Sequence, residues 1–290
     1  MKKADLFIDA QCILAEGPLW VADEQALYWV DIEGMGVCRY ADEQFVRHEF
    51  DQMVGAIVQS TGGFLLALEK GIYHYEWKSK KLTLIDSSWQ AEGMRANDGK
   101  VDPLGNFWVG TMSITQPSPN RGTLYLLNDQ GQLSKMISNR KISNGLAWDT
   151  DKGRMYYIDT LDYCVRAYEY TDGEITNGEK VIEIDSSLGG PDGMCIDEEG
   201  MLWIAHWGGS CVRRWDPSRS IVLDQIDVPA LHVSSCAFGG PNMDQLYITT
   251  ARAGLTPDQL KNYPLSGGVF TCQLDVRGAE SSPFKLGIKS

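Results

Sequence analysis

The sequence lacks an excess of positive charge. Its 290 residues include 26 lysines and arginines against 39 aspartates and glutamates, which gives a formal net charge of −13. Nucleic acids and anionic membrane surfaces both require a basic face on their partner, so we expect neither. No apolar run approaches the roughly 18 residues of a membrane span, and Asp5 and Asp9 interrupt any signal-peptide core. We expect a cytoplasmic protein.

Closely spaced metal-binding pairs are also missing. The seven cysteines are scattered and form no Cys-x-x-Cys pair, so we expect neither a disulfide framework nor a thiolate zinc site. The chain has only four histidines, and none lies in the motif that precedes each repeat below. A histidine-rich metal centre is therefore not expected. The four are His48, His74, His206 and His232.

What the sequence does contain is an internal repeat. A short phrase of aromatic and β-branched residues occurs six times, at gaps of 37, 42, 49, 46 and 44 residues. Its anchors are Trp29, Leu66, Trp108, Tyr157, Trp203 and Tyr247. Such residues favour strands, and a period of about 44 residues is typical of propeller blades. Only residues 256–263 resemble a helix. We expect an all-β fold, namely a six-bladed β-propeller.

The ends of the chain suggest how such a propeller would close. No linker or break in composition divides the sequence, so we expect one domain over residues 1–290. Segment 4–10 precedes the first blade without a partner, and segment 268–274 supplies an extra strand after the sixth anchor. Pairing the N-terminal strand into the last blade would remove open edges that invite aggregation. We expect a monomer or a weak homo-oligomer.

A second motif lies upstream of each anchor and consists of a polar residue, a glycine and an apolar strand. The residues at its first position are Glu16, Val54, Asp98, Asn144, Asp192 and Ser235. The innermost strands of a propeller line its central channel, so these side chains should converge at one mouth. Three carboxylates at one point repel each other unless a cation lies between them. Oxygen donors suit a divalent cation such as Ca²⁺, Mg²⁺, Mn²⁺, Zn²⁺ or Fe²⁺.

Each of these pairs also has a purely structural interpretation. Asp-Gly and Asn-Gly are common turn sequences, since Asx side chains cap turns and glycine accepts positive φ. Glu16 forms no Asx turn and yet shares the position, which favours a metal site at the channel mouth. An axial ion that only plugs the channel remains an alternative.

Several segments, read together, resemble the regucalcin/gluconolactonase family, also called the senescence-marker-protein family. They are residues 15–20 (AEGPLW), 95–102 (RANDGKVD), 110–112 (GTM), 143–145 (SNG) and 191–194 (PDGM). The resemblance implies a six-bladed propeller that binds one divalent cation in the channel mouth. It also implies hydrolysis of sugar lactones, so that the partner is a small lactone.

The resemblance also implies roles for single residues. It gives Glu16, Asn144 and Asp192 as the metal ligands, with Asp192 also serving as the catalytic acid and base. It places Arg95 and Asn97 against the substrate. It moves Asp98 from the channel axis to a supporting position behind the ligands.

One segment departs from the family pattern. Regucalcin-like members carry acidic residues shortly after the Gly-Thr-Met motif, and one of them touches the substrate. Here the stretch is Ser113-Ile114-Thr115-Gln116, so Thr115 would offer a neutral contact instead. Because a carboxylate beside Arg95 is then missing, we expect lactones with an anionic substituent to be tolerated.

Other functions stay open at this point. A metal-dependent esterase or phosphotriesterase could use the same propeller. A non-catalytic calcium-binding or protein-interaction propeller is the more distant alternative, with tryptophans as possible anchors. These are Trp20, Trp89, Trp148, Trp207 and Trp215. Arg95 has the alternative role of a surface salt bridge with Glu92 or Asp98.

Overall fold

The structure is a computed structural model that describes residues 2–89, 91–115, 120–279 and 281–287. It is an all-β fold. In chain order its strands are β1 (Lys2–Lys3), β2 (Asp5–Ile8), β3 (Ala15–Val21), β4 (Ala26–Asp31), β5 (Gly36–Ala41), β6 (Gln44–Glu49), β7 (Val54–Ser60), β8 (Gly63–Leu68), β9 (Gly71–Glu76), β10 (Lys81–Asp86), β11 (Met94–Val101), β12 (Phe107–Ser113), β13 (Gly122–Leu127), β14 (Leu133–Arg140), β15 (Ser143–Asp149), β16 (Arg154–Asp159), β17 (Cys164–Thr171), β18 (Glu174–Glu183), β19 (Gly190–Ile196), β20 (Leu202–Trp207), β21 (Cys211–Asp216), β22 (Ile221–Asp227), β23 (His232–Gly239), β24 (Gln245–Ala251) and β25 (Val269–Gln273).

Strands β3 to β18 form four antiparallel sheets of four consecutive strands each. The remaining strands form a nine-stranded sheet in which β20 and β23 are joined by one residue pair, Trp207 with His232. In that sheet β2 pairs antiparallel with β25, and β1 pairs parallel with β22. These four-stranded units are consistent with a β-propeller.

The first strands of the successive units lie side by side. Strand β3 contacts β7, β7 contacts β11, β11 contacts β15, and β15 contacts β19. Strand β19 contacts β23, and β23 returns to β3. The inner strands therefore follow one another round a common centre, and residues at equivalent places on them approach each other.

Helical structure is minor in the described residues. One α-helix, α1 (Pro257–Asn262), begins with a capping box in which Thr256 and Gln259 bond each other's backbone N–H, so the predicted short helix is confirmed. Three 3₁₀ turns span Ala22–Glu24, Thr160–Asp162 and Ser186–Leu188. No helix in this part of the chain is long and apolar enough to cross a membrane.

The repeated phrases form the buried second strand of each unit. Trp29, Trp108 and Trp203 are almost fully buried there, because both faces of this strand are covered by neighbouring sheets. All seven cysteines are buried and free. Packing in these layers fixes the inner strands, and the inner strands carry the polar motif residues.

Candidate metal and substrate site

Each inner strand contains a register shift at its motif, and in all but β23 the motif includes a glycine. The shifts fall between Glu16 and Leu19, Val54 and Ala56, Ala96 and Gly99, Ser143 and Leu146, Pro191 and Met194, and Val233 and Ser235. A β-bulge releases residues from the hydrogen-bond ladder and redirects their side chains. The motif pairs of β11, β15 and β19 therefore lie inside strands, and their interpretation as turns is wrong.

The strand pairing shows which residue of β11 is equivalent to Asp192. Asp102 and Asp197 mark the same point in their sheets, because each accepts a bond from the indole N–H of the tryptophan six residues later, at 2.8 and 2.9 Å. Asp192 lies five residues before Asp197, and Asn97 lies five residues before Asp102. Asn97 thus occupies the position that the motif alignment assigned to Asp98. The predicted register was wrong by one residue in this strand.

The glycine that follows each bulge residue is required by close packing between inner strands. A Cβ on Gly145 would lie 2.7 Å from the backbone oxygen of Asp192. A Cβ on Gly193 would overlap the side chain of Ser235. Neither position has room for a larger residue, so the glycines bring the strands together where the polar side chains meet.

Five of the predicted site residues line one cavity of about 630 Å³. They are Glu16, Arg95, Asn97, Asn144 and Asp192. All five are buried, with exposed fractions between 4% and 7%. A cavity of this size falls within the range of small-molecule sites.

A chain of hydrogen bonds connects Arg95 to Asn144. Nη1 of Arg95 donates to Oδ1 of Asn97 at 2.6 Å. Nδ2 of Asn97 donates to Oδ1 of Asn144 at 3.2 Å and to the backbone oxygen of Ser143 at 2.9 Å. Nδ2 of Asn144 donates to Oγ1 of Thr160 at 2.9 Å. The amide orientation of Asn144 is thereby fixed from both ends.

The two carboxylates of the site, Glu16 and Asp192, both have raised pKa values. Burial raises the pKa of Glu16 well above its ordinary value, and the negative charges of Asp192 and Asp98 raise it further. Burial and Asp98 likewise raise the pKa of Asp192, against the opposing effects of Arg95 and Asn144. Both groups would be stabilised in their ionised forms by a positive charge between them.

Arg95 is a buried cation and not part of a surface salt bridge. Burial lowers its pKa, while nearby carboxylates favour the charged form, Glu33 most strongly and then Glu16 and Asp192. Among the described residues neither Glu92 nor Asp98 forms an ion pair with it within 4.0 Å. Arg95 instead lines the cavity.

Two predicted residues lie elsewhere. Asp98 is buried but lines a separate cavity of about 240 Å³, together with Lys100. Thr115 is exposed, accepts a bond from Oγ of Ser113 at its backbone oxygen, and is not among the residues lining the larger cavity. The contact predicted between Thr115 and a substrate stays a prediction, and residues 116–119 that follow it lie outside the described part of the chain.

The donor set fits a divalent cation. Oδ1 of Asp192 is buried, and no described residue donates a hydrogen bond to it. With Glu16 and the amide oxygen of Asn144 it would give three oxygen donors. The described residues contain no group of three His, Cys, Asp or Glu side chains able to hold a metal. Any metal here would therefore depend on the asparagine as its third protein ligand.

Sequence reasoning missed several residues of the cavity wall. Glu33 follows strand β4, and Tyr163 follows the turn after β16. Trp207, which was considered only as a possible partner-binding anchor, also lines the wall and stacks on His232 with ring centroids 4.1 Å apart. Their only common sequence signal is that each follows or ends the second strand of its unit, which is the end nearest the cavity.

Comparison with known proteins places the chain in a family. The model of the SMP-30/Gluconolactonase/LRE-like region matches residues 14–252. The chain belongs to this family. It is 38% identical over 287 residues to a putative sugar lactone lactonase of Bacillus subtilis, covering 97% of this chain and 98% of that protein. It is 35% identical to human regucalcin, covering 95% and 96% of the two chains.

The fold of a family member also matches. The crystal structure of a calcium-binding regucalcin from Agrobacterium tumefaciens superposes with a TM-score of 0.92 at 25% identity, covering 98% of this chain and 97% of that chain. The resemblance identified from the sequence motifs is confirmed.

Proposed function

We propose that the protein hydrolyses sugar lactones to aldonic acids and depends on a divalent cation. The observation that carries the proposal is the unpartnered Oδ1 of Asp192, buried in the same cavity as Glu16, Asn144 and the cationic Arg95. A metal-binding carboxylate and a hydrogen-bonding cation within one sugar-sized cavity suit the hydrolysis of a cyclic ester. The similarity to a putative sugar lactone lactonase supports the same reaction class.

Glu16, Asn144 and Asp192 would hold the cation. A divalent cation in such a site supplies Lewis acidity for an ester carbonyl and acidifies water. The raised pKa values of Glu16 and Asp192 suit this role, because a bound cation would replace the protons that burial otherwise favours. The oxygen donors do not decide which divalent ion is used.

Asp192 is the proposed acid and base. Its carboxylate would accept the proton of the attacking water through one oxygen and return it to the ring oxygen as the lactone opens. Among the titratable side chains of the described cavity wall, only Asp192 has an oxygen that is fully shielded from solvent and also lacks a hydrogen-bond partner.

Arg95 and Asn97 would position the substrate. The guanidinium of Arg95 is anchored by its bond to Asn97, so its remaining N–H groups can donate to substrate oxygens in a fixed direction. Trp207 and Tyr163 supply flat apolar surface that suits the C–H face of a sugar ring. These residues would orient the lactone ring so that its ester carbonyl faces Asp192.

The architecture that we propose is a single six-bladed propeller with this site at one channel mouth. The nine-stranded sheet divides naturally at the single pair Trp207–His232 into two units, which makes six with the other four. The sequential contacts of the inner strands support a closed ring. On this view β2 closes the last blade by pairing with β25.

Calcium binding without catalysis is the second candidate, because a solved relative is described as a calcium-binding protein. One experiment separates the two. Metal-stripped protein is supplied with Ca²⁺, Mg²⁺, Mn²⁺ or Zn²⁺ and tested for acid release from five- and six-membered aldonolactones, a phosphotriester and an aryl ester. Lactone turnover that is lost with chelator and restored by metal supports the proposal. Metal binding without turnover favours the second candidate, and turnover of only the other esters would redirect the assignment.

A further inference from the structure

Glu33 is a carboxylate of the cavity wall that the proposed reaction does not use. It lines the same cavity as Arg95 and Asp192, and its side chain is exposed to solvent there. Of the carboxylates near Arg95 it contributes most to favouring the cation, ahead of Glu16. Glu33 is thus an anionic group on the wall of the cavity that Arg95 also lines.

The backbone beneath Glu33 is firmly held. Oδ1 of Asp31 accepts a bond from the N–H of Gly34 at 3.1 Å, and Nη2 of Arg47 donates to the Gly34 carbonyl at 2.6 Å. Asp31 and Arg47 are themselves paired at 2.7 Å. The turn that presents Glu33 is therefore braced on both sides, so the fold sets the backbone position from which its side chain extends.

Among the residues that line the larger cavity, the charges balance only when Glu33 is included. A divalent cation would neutralise Glu16 and Asp192, which leaves Arg95 as an unbalanced positive charge. Glu33 cancels that charge. Without Glu33 the cavity would attract anions, and the product of lactone hydrolysis is itself an anion, whereas the substrate is neutral.

We propose that Glu33 determines the charge selectivity of this site. It favours neutral polyhydroxylated lactones, because its carboxylate can accept hydrogen bonds from their hydroxyl groups. It weakens the binding of anionic lactones and of the aldonate product. The inference rests on the proposed lactonase function. It reverses the expectation from Thr115 that anionic lactones are tolerated, because the carboxylate missing at Thr115 is supplied from the turn after β4.

The test compares Glu33→Gln with the wild type at saturating divalent cation. Calorimetry measures binding of an aldonate and of the matched neutral alditol. We expect the variant to bind the aldonate about tenfold more tightly, as removal of one like charge in a partly solvated cavity predicts, and the alditol within about twofold. The specificity constant for an aldaric acid monolactone, which carries a free carboxylate, should rise by a similar factor relative to that for a neutral aldonolactone.

Two further variants isolate the cause. Glu92→Gln removes the same charge from an exposed residue that does not line the cavity, and it should change neither ratio. Glu33→Asp keeps the charge and should retain the wild-type preference for neutral ligands. Equal effects of Glu33→Gln on the aldonate and the alditol, or equal effects of Glu33→Gln and Glu92→Gln, would overturn the inference.

The inference and the proposed function fail in different ways. If the wild type hydrolyses no lactone, the proposed function is wrong, while the calorimetric comparison still reports whether Glu33 repels anions. If the wild type hydrolyses neutral lactones and the binding ratio is unchanged in Glu33→Gln, only the role of Glu33 is wrong.

Discussion

Asn97 donates a hydrogen bond to Asn144 from the neighbouring inner strand, with Nδ2 and Oδ1 3.2 Å apart. The same Asn97 accepts from Arg95 at 2.6 Å. One amide therefore links a proposed metal ligand to a proposed substrate-binding cation. Because both groups depend on its orientation, metal affinity and substrate binding should be coupled through Asn97.

Replacing Asn97 with alanine tests this coupling. The change removes the donor to Asn144 and leaves the buried Ser143 carbonyl without its partner, while Arg95 loses an acceptor. Loss of a group that orients a metal ligand typically weakens metal binding by about 10-fold or more. We expect Asn97→Ala to weaken cation binding and to raise the KM for lactone together, as measured by metal titration and steady-state kinetics.

The matched control is Asn242→Ala, at an exposed position far along the chain in a turn. It should change neither quantity. A normal cation affinity in a folded Asn97→Ala protein would show that Asn144 does not need the amide of Asn97 to bind metal.

Asp192→Asn separates proton transfer from folding. The asparagine amide has nearly the same shape as the aspartate carboxylate. Residue 192 lies at a bulge beside the cavity and not in the apolar core, so we expect the melting temperature to change little. Loss of a general base typically lowers turnover by about 10²–10⁴-fold. We expect kcat to fall in this range even at cation concentrations that saturate the variant.

The control for this substitution is Asp151→Asn, which makes the same change at an exposed turn. It should have wild-type kinetics. If Asp192→Asn retained wild-type kcat once saturated with metal, Asp192 would act only as a ligand and another group would transfer the proton.

The stability of the metal-free protein should depend on pH through Glu16 and Asp192. Their folded pKa values are raised, so both bind protons more readily in the folded state. The stability that they contribute is complete below the ordinary carboxyl value of about 4 and is lost as pH rises through the raised folded values. Adding a divalent cation should therefore raise the melting temperature more at about pH 7.5 than at about pH 5.

Thermal melts with chelator and with cation, at both pH values, measure this effect. The same melts on Asp192→Asn give the contribution of the other carboxylates, which are common to both proteins, so the difference between the two proteins reports Asp192. A cation-induced shift that is the same at both pH values would mean that the two groups are already ionised without metal.

The repeat allowed the fold to be predicted from the sequence, whereas only part of the site could be predicted. The aromatic phrases are strongly periodic because every unit buries the same strand, as Trp29 and Trp203 show. The one-residue shift at Asn97 was hidden, since a bulge leaves no mark in composition and the neighbouring Asp98–Gly99 pair matches the motif better. Glu33 was missed because it is far from Arg95 in the sequence, and only the fold brings the two residues to the wall of one cavity.

The motif alignment and the strand register disagree about Asp98: the alignment makes it equivalent to Asp192, whereas the register gives that position to Asn97. It lines the smaller cavity, and burial raises its pKa against the opposing effect of Lys100. Its negative charge nevertheless raises the pKa values of both Glu16 and Asp192. Removing that charge has two opposing effects on cation binding: the ligands lose protons more easily, but the site also attracts the cation less strongly.

We therefore expect Asp98→Asn to change cation affinity at neutral pH by less than about tenfold, and to shift the pH dependence of binding towards lower pH. Glu16→Gln replaces a carboxylate ligand with an amide and should weaken binding by more than Asp98→Asn at every pH. Metal titrations of the two folded variants across the acidic range give the comparison. An equal loss in both would place the Asp98 carboxylate on the metal, as the motif alignment had it, and would remove Asn97 from the position equivalent to Asp192.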